Sequence, residues 1–234
     1  MNRYKNKREK RGLLSVLSSF STIAWLIIIT VLTSLIGLAI FWLLPEQADY
    51  IALKPSNIVQ GKYLWTIITH MFIHGGIGHL LINMFVLFSL GGLCERIIGR
   101  KRFIWFYLFS GIFAGLLSVF LATQFGHTAL GQRIFGSPDI FMVGASGAIF
   151  AIAGLYVMLL PKLKFMIIFL PFFSLPAYIM VPLVLFLVWI ISIIGDWPIG
   201  NVAHFGGFLA GIIYGFYLRT KYKRKVAKLQ RMFR

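Results

Sequence analysis

Residues 144–160 read GASGAIFAIAGLYVMLL and residues 202–218 read VAHFGGFLAGIIYGFYL. Neither stretch holds a charged side chain, and neither has a polar face to turn toward water. A helix apolar all round belongs in a bilayer or at the centre of a bundle. Each stretch nevertheless carries one reactive polar side chain near its start, Ser146 in the first and His204 in the second. Gly207, Gly211 and Gly215 recur every four residues, so one stripe of the second helix is nearly bare backbone. Gly147, Ala151 and Gly154 offer a matching stripe on the first. Small residues at that spacing let membrane helices approach closely. His204 precedes Gly207 by three residues and shares about the same face. Packing the two stripes together therefore predicts that Ser146 and His204 meet.

The rest of the chain supports a membrane setting. It has 234 residues, of which 59% are hydrophobic and 12% charged. An ordinary soluble domain carries about 25% charged residues. With a mean hydropathy of +0.86, the polar surface is too small to cover a water-soluble core, and a disordered chain is excluded as well. Cutting the sequence at its charged residues leaves uncharged runs at 12–45, 63–94, 103–132, 140–161, 165–195 and 197–218. Each reaches the ~20 residues a helix needs to cross a bilayer. In lipid the backbone must satisfy its own hydrogen bonds, which makes these runs helical. Six spans are expected, near 22–44, 78–94, 103–123, 144–160, 176–195 and 202–218. The fold class is thus an all-α membrane protein, a six-transmembrane-helix bundle whose domain covers 22–218, with basic tails at 1–21 and 219–234.

Surplus residues need a place. Pro171, Pro176 and Pro182 interrupt the fifth run, so 165–175 is expected as an interfacial or looped segment. Tyr63 to Gly78 is apolar but broken by two histidines and three glycines, which suits a membrane-dipping first loop. The apolar core of the first span is longer than the 7–15 residues of a signal peptide, and no small-residue cleavage site follows, so it is expected to remain.

Charge sets the orientation. The net charge of +17 could suggest a nucleic-acid partner, but position argues for the membrane surface instead. With six spans, 20 of the 23 basic residues fall on one side, in the two tails and in the loops at 96–102 and 162–164. The positive-inside rule places that side, and both termini, in the cytoplasm of a plasma (cell) membrane. Cys94 is the single cysteine, so no intrachain disulfide exists, and its apolar neighbours mark it as a small buried hydrophobe.

Polar residues in lipid are functional candidates by default. Besides Ser146 and His204, these are His70, His74, His79 and Asn83. A serine needs a base, and neutral imidazole removes its proton near pH 7. It also needs donors for the oxyanion that forms on an attacked carbonyl. His79 and Asn83 lie four apart on one helix face and can both donate. No carboxylate is placed to complete a triad, so a Ser–His pair is the economical arrangement. Phe150, one turn after Ser146, can brace the imidazole. Two rival readings remain open at this stage. His70, His74 and His79 could bind a metal. Alternatively, a non-catalytic relative could recognise membrane helices without cutting them.

With these motifs the chain resembles the rhomboid family of intramembrane serine proteases, over roughly 60–218. The resemblance runs through Trp65, Thr69-His70-Met71-Phe72-Ile73-His74, His79-Leu80-Leu81-Ile82-Asn83, Gly91-Gly92 with Glu95-Arg96, Gly144-Ala145-Ser146-Gly147 and Ala203-His204-Phe205-Gly206-Gly207. It implies a rhomboid-like bundle in which Ser146 is the nucleophile and His204 the general base. It implies an oxyanion hole from His79, Asn83 and the backbone N–H of Ser146. Such proteins cleave transmembrane protein substrates in or near the lipid bilayer, with no cofactor. Residues 45–77 would form a loop half-sunk in the outer leaflet, and span five a lateral gate. Thr66 stands where many relatives carry Arg, and Phe150 where some carry Tyr. His70 and His74 match histidines that act as structural supports. Inactive rhomboid-like branches lack the Ser–His pair.

Overall fold

The computed structural model describes residues 21–167, 170–195, 197 and 199–233, with the backbone alone at 167 and 170–172. The basic residues expected in the amino-terminal tail, and Asp196 in the last outer loop, lie outside the described residues. The chain is a helical membrane bundle. Among the described residues, five helices are long and apolar enough to cross a membrane. They are α1 (Thr22–Leu43), α4 (Ile77–Ile98), α5 (Arg100–Phe125), α8 (Ala177–Gly195) and α9 (Asn201–Lys221). Short helices α2 (Pro55–Val59) and α3 (Thr66–Thr69), with 3-10 turns at Pro45–Tyr50 and His70–Phe72, build the loop between α1 and α4. Helix α6 (Ala129–Phe135) follows α5, and α10 (Lys223–Met232) follows α9.

The fourth expected span is the shortest. It is α7 (Ser146–Leu159), with 14 residues. At 1.5 Å per residue it extends ~21 Å, less than the ~30 Å of a hydrocarbon core. Gly147 to Tyr156 is buried at every position but Phe150, so α7 is the central helix that its all-round apolarity requires. Its most extensive neighbour is α9. A Cβ added at Gly207 would overlap the carbonyl oxygen of Gly147, and one at Gly211 that of Ala151. In the other direction, a Cβ at Gly154 would overlap the carbonyl of Phe208. The two stripes therefore pack backbone to backbone, as their spacing predicts.

The segment expected as an interfacial loop contains a two-stranded antiparallel hairpin, β1 (Lys164–Ile167) and β2 (Leu170–Pro176). Lys164 pairs with Pro176 and Phe165 with Leu175, and the register slips between Met166 and Ile167. Prolines exclude a helix here but tolerate a strand end, where no ladder N–H is needed. The carboxyl tail is also structured. Val226 on α10 is buried, and Leu229 and Phe233 pack against the core while the basic side chains face out.

The start of α1 is tied to the end of α4. Ser21 caps α1 by accepting the Ala24 N–H at 3.2 Å. Buried Glu95 accepts the N–H groups of Thr22 and Ile23 at 3.1 and 3.3 Å. A carboxylate at a helix N-terminus is favourable because it meets the unpaired N–H groups and the positive end of the dipole. Arg100 completes the charge balance, its Nε 3.3 Å from the same carboxylate. Cys94, next to it, is fully buried.

Candidate active site

Ser146 is the first residue of α7, and His204 the fourth of α9. Helix packing at Gly147 and Gly207 places them side by side, with Ser146 Oγ 2.8 Å from His204 Nε2. Phe150 lies against the imidazole, ring centroids 4.6 Å apart and planes 30° apart. The other imidazole nitrogen, Nδ1, is buried and has no hydrogen-bond partner among the described residues. When Nε2 accepts the serine hydroxyl proton, Nδ1 carries its own hydrogen. Both side chains are half-buried, so the pair is reachable from one side.

The approach to Ser146 is built by the loop before α4. Residues leading into α7 bond to that loop backbone to backbone. Met142 exchanges bonds with Leu53 at 2.7 and 3.2 Å, and Gly144 N–H donates to the His70 carbonyl at 2.9 Å. Gly144 has a φ of +123°, a conformation closed to most L side chains. It also lacks room, because a Cβ there would stand 2.8 Å from Cε1 of His79. The glycine therefore turns the chain into α7 while letting the His79 ring come close.

His74 reaches one residue nearer the serine. Its Nε2 accepts the Ala145 N–H at 3.3 Å, and its Nδ1–H donates to Ser34 Oγ at 2.9 Å. Ser34 passes its own hydrogen to the Phe72 carbonyl at 3.0 Å. Every hydrogen in this chain is accounted for only if His74 is neutral. Burial, reinforced by the neighbouring His79, pushes the His74 pKa down to about 3. His70 sits in the same loop, its Nδ1–H donating to the Thr66 carbonyl at 2.9 Å. Burial lowers its pKa to about 4, against a smaller opposing effect of its backbone bonds.

His79 and Asn83 begin α4 on the same side. The His79 ring meets His74 edge to face, with centroids 4.9 Å apart. Asn83 is buried, and its Nδ2 donates to the His79 carbonyl at 2.9 Å. The structure thus brings Ser146 and His204 into contact and sets His79 beside Gly144, with Asn83 one turn further along α4. The three-histidine metal reading loses His74 as a donor, since both of its nitrogens are already engaged. Among the described residues no three His, Cys, Asp or Glu side chains converge. What sequence reading missed is Ser34 and the positioning contact of His74. The signal was present, since Ser34 is a polar residue inside an apolar span.

Comparison with known proteins gives the family of the chain. A Rhomboid domain model matches residues 61–221. RHOMBOID-like protein 5 of Arabidopsis thaliana is 33% identical over 168 residues, 71% of this chain and 48% of its own. RHOMBOID-like protein 6, mitochondrial, from the same plant is 34% identical over the same share of each. Rhomboid protease GlpG of Haemophilus influenzae is 27% identical over 190 residues, 81% of this chain and 88% of its own. The chain spans about half the length of these plant relatives and most of the bacterial one. It belongs to the rhomboid family, as a multi-pass membrane protein.

Proposed function

We propose that the protein is an intramembrane serine endopeptidase that cleaves single-span membrane proteins in or near the bilayer. The observation that carries this is the 2.8 Å contact between Ser146 Oγ and His204 Nε2 across two membrane helices. Two isolated polar groups brought together in lipid need a reason to be there. A hydroxyl and an imidazole in hydrogen-bond contact are a nucleophile and its base.

The geometry performs the reaction as follows. His204 Nε2 takes the hydroxyl proton while Ser146 Oγ attacks the scissile carbonyl carbon. The carbonyl oxygen becomes an oxyanion at the N-terminus of α7, where the first N–H groups have no intrahelical acceptor. The Ser146 N–H, His79 and Asn83 are its donors in this reading. His204 then gives its proton to the leaving amine nitrogen, and the carbon–nitrogen bond breaks. Water, deprotonated by the same imidazole, releases the acyl group and restores the serine. Phe150 holds the ring in plane, and His74 and Gly144 fix the chain entering Ser146. A helix ~9 Å shorter than the hydrocarbon thickness supports a serine lying below the membrane surface. The test is cleavage of a fluorescently labelled single-span substrate in proteoliposomes, with Ser146→Ala alongside. Equal cleavage by both forms overturns the proposal.

Acid has two expected effects. Neutral His204 is required as base, so cleavage falls once acid protonates that imidazole. Separately, unfolded His70 and His74 take protons near 6.5, whereas the folded protein resists until about 4 and about 3. The unfolded state binds more protons in that window, so stability falls as pH falls from about 6.5 to 4, by on the order of several kcal/mol. A Tm that falls progressively as pH is lowered from about 6.5 to 4 is expected, with cleavage measured alongside. A Tm flat from pH 7 to 4 contradicts the second effect.

The segregation of basic residues supports a plasma-membrane address with both termini cytoplasmic. A reporter fused after Arg234 should be active only in its cytoplasmic form, and an external reading reverses the orientation.

A further inference from the structure

At the end of the bundle away from Ser146, helices α5 and α9 part to leave a groove of about 690 Å³. Lys101 and Arg102 stand at its mouth, Trp105 and Phe109 on one wall, and Ile213 and Tyr217 on the other. On α5 the lining positions run from 101 to 113 in steps of three and four, one face of a helix. That face is ~18 Å long. Half of a ~30 Å hydrocarbon core is ~15 Å, so the groove matches the depth of a single leaflet.

Its mouth is crowded with positive charge. Arg102 lies over the Tyr222 ring at 5.5 Å and donates to its hydroxyl at 3.3 Å. Lys221 and Lys225 approach the same ring, each at 5.8 Å. Among the described residues, the acidic side chain in an ion pair is Glu95, and its partner is Arg100 rather than any of these. Cations gathered around one ring repel one another unless an anion joins them. A free anion would satisfy the mouth but leave the aromatic walls below it without an occupant. A membrane helix would suit the walls but bring no anion to the mouth.

We infer that this groove is a binding site for one anionic phospholipid of the leaflet on the carboxyl-terminal side. Its phosphate sits among Arg102, Lys101 and Lys221, and one acyl chain runs down the channel between Trp105 and Ile213. The α10 helix closes the headgroup side with Lys225, which gives its packed, basic form a role. The site shares no residue with the Ser146–His204 pair, and its test does not depend on proteolysis.

Native mass spectrometry of the full chain, in neutral detergent doped with phosphatidylglycerol or phosphatidylcholine, tests this. Wild type should retain phosphatidylglycerol at least ~25-fold more tightly. Near a membrane surface each basic residue contributes about a fivefold preference for anionic lipid, so the double variant Lys101→Gln, Arg102→Gln should lose ~25-fold. Ile213→Trp fills the exposed wall without removing charge and should also abolish retention. It keeps the test open if the charge variant folds poorly. Lys162→Gln with Lys164→Gln, outside the groove, should leave binding unchanged. Equal retention of the two lipids, an equal loss from the Lys162 and Lys164 changes, or displacement of phosphatidylglycerol by an uncharged transmembrane peptide overturns the site.

Discussion

Ser146→Ala should reduce cleavage of a transmembrane substrate by on the order of 10⁴- to 10⁶-fold, the range seen when a serine hydrolase loses its nucleophile. In the proposed mechanism the hydroxyl that bonds His204 at 2.8 Å forms the covalent intermediate, and alanine offers nothing in its place. His204→Ala should fall to nearly the same level. The two residues act in one step, so the double variant should be barely worse than either single one. Strong non-additivity of this kind marks groups that work as a unit. Asn83→Ala should be milder, about 10²- to 10³-fold in kcat with little change in KM, since an oxyanion donor acts on charge that develops in the transition state. Asn83 is also buried and bonded to its own helix. A Tm measured alongside separates loss of a donor from loss of fold.

A protein that only recognised membrane helices would respond differently. Binding of a substrate helix would survive Ser146→Ala, and no product would form with wild type. Phe150 packed on His204 at 4.6 Å and the turn at Gly144 would then serve no chemistry. The kinetic series therefore distinguishes the two readings without reference to any substrate's identity.

Much of this was legible in the sequence because lipid is an unforgiving solvent. Uncharged runs had to become helices, and the observed α1, α4, α5, α8 and α9 fall within a few residues of the expected limits. Ser146 and His204 stood out because a polar side chain in an apolar run demands an explanation, and the glycine spacing said which faces meet. The hairpin at 164–176 was not legible. Apolar residues interrupted by prolines fit a loop, an interfacial helix or a strand equally well, and pairing is a tertiary choice. The short length of α7 was hidden too, since Gly144 and Ala145 are as apolar as the helix they precede. Their departure comes from long-range backbone bonds of 142 and 144 to the α1–α4 loop. Nor could spacing show that His74 would reach from that loop to Ala145, or that Ser34 would orient it.

Gly207→Ala should damage both stability and catalysis, and by more than an ordinary glycine-to-alanine change in a helix. In open space that change is favourable by about 1 kcal/mol. Gly92 on α4 meets that condition, with nothing within 4 Å of an added Cβ, and Gly92→Ala serves as the control. At Gly207 the methyl group lands on the carbonyl oxygen of Gly147, and a backbone atom in the central helix cannot rotate away. The helices must separate, at a cost of roughly 1–3 kcal/mol or more. For a chain of this size that lowers Tm by about 2–4 °C per kcal/mol. Gly147 is bonded to Ser146, so the same separation pulls the hydroxyl from Nε2, and a 1 Å misplacement costs about 100-fold in rate. Gly211→Ala meets the Ala151 carbonyl more than a turn further from the serine. It should lose comparable stability and less activity. Gly215→Ala meets the side chain of Met158, 2.6 Å from its Cβ and 3.1 Å from its Cγ, so there only part of the obstacle can yield. It should be the mildest of the three. Tm and cleavage rate measured together for Gly207, Gly211 and Gly215 should show stability and activity recovering at different rates along α9. Three variants indistinguishable from Gly92→Ala would mean that the close approach of α7 and α9 does not set the reach between serine and imidazole.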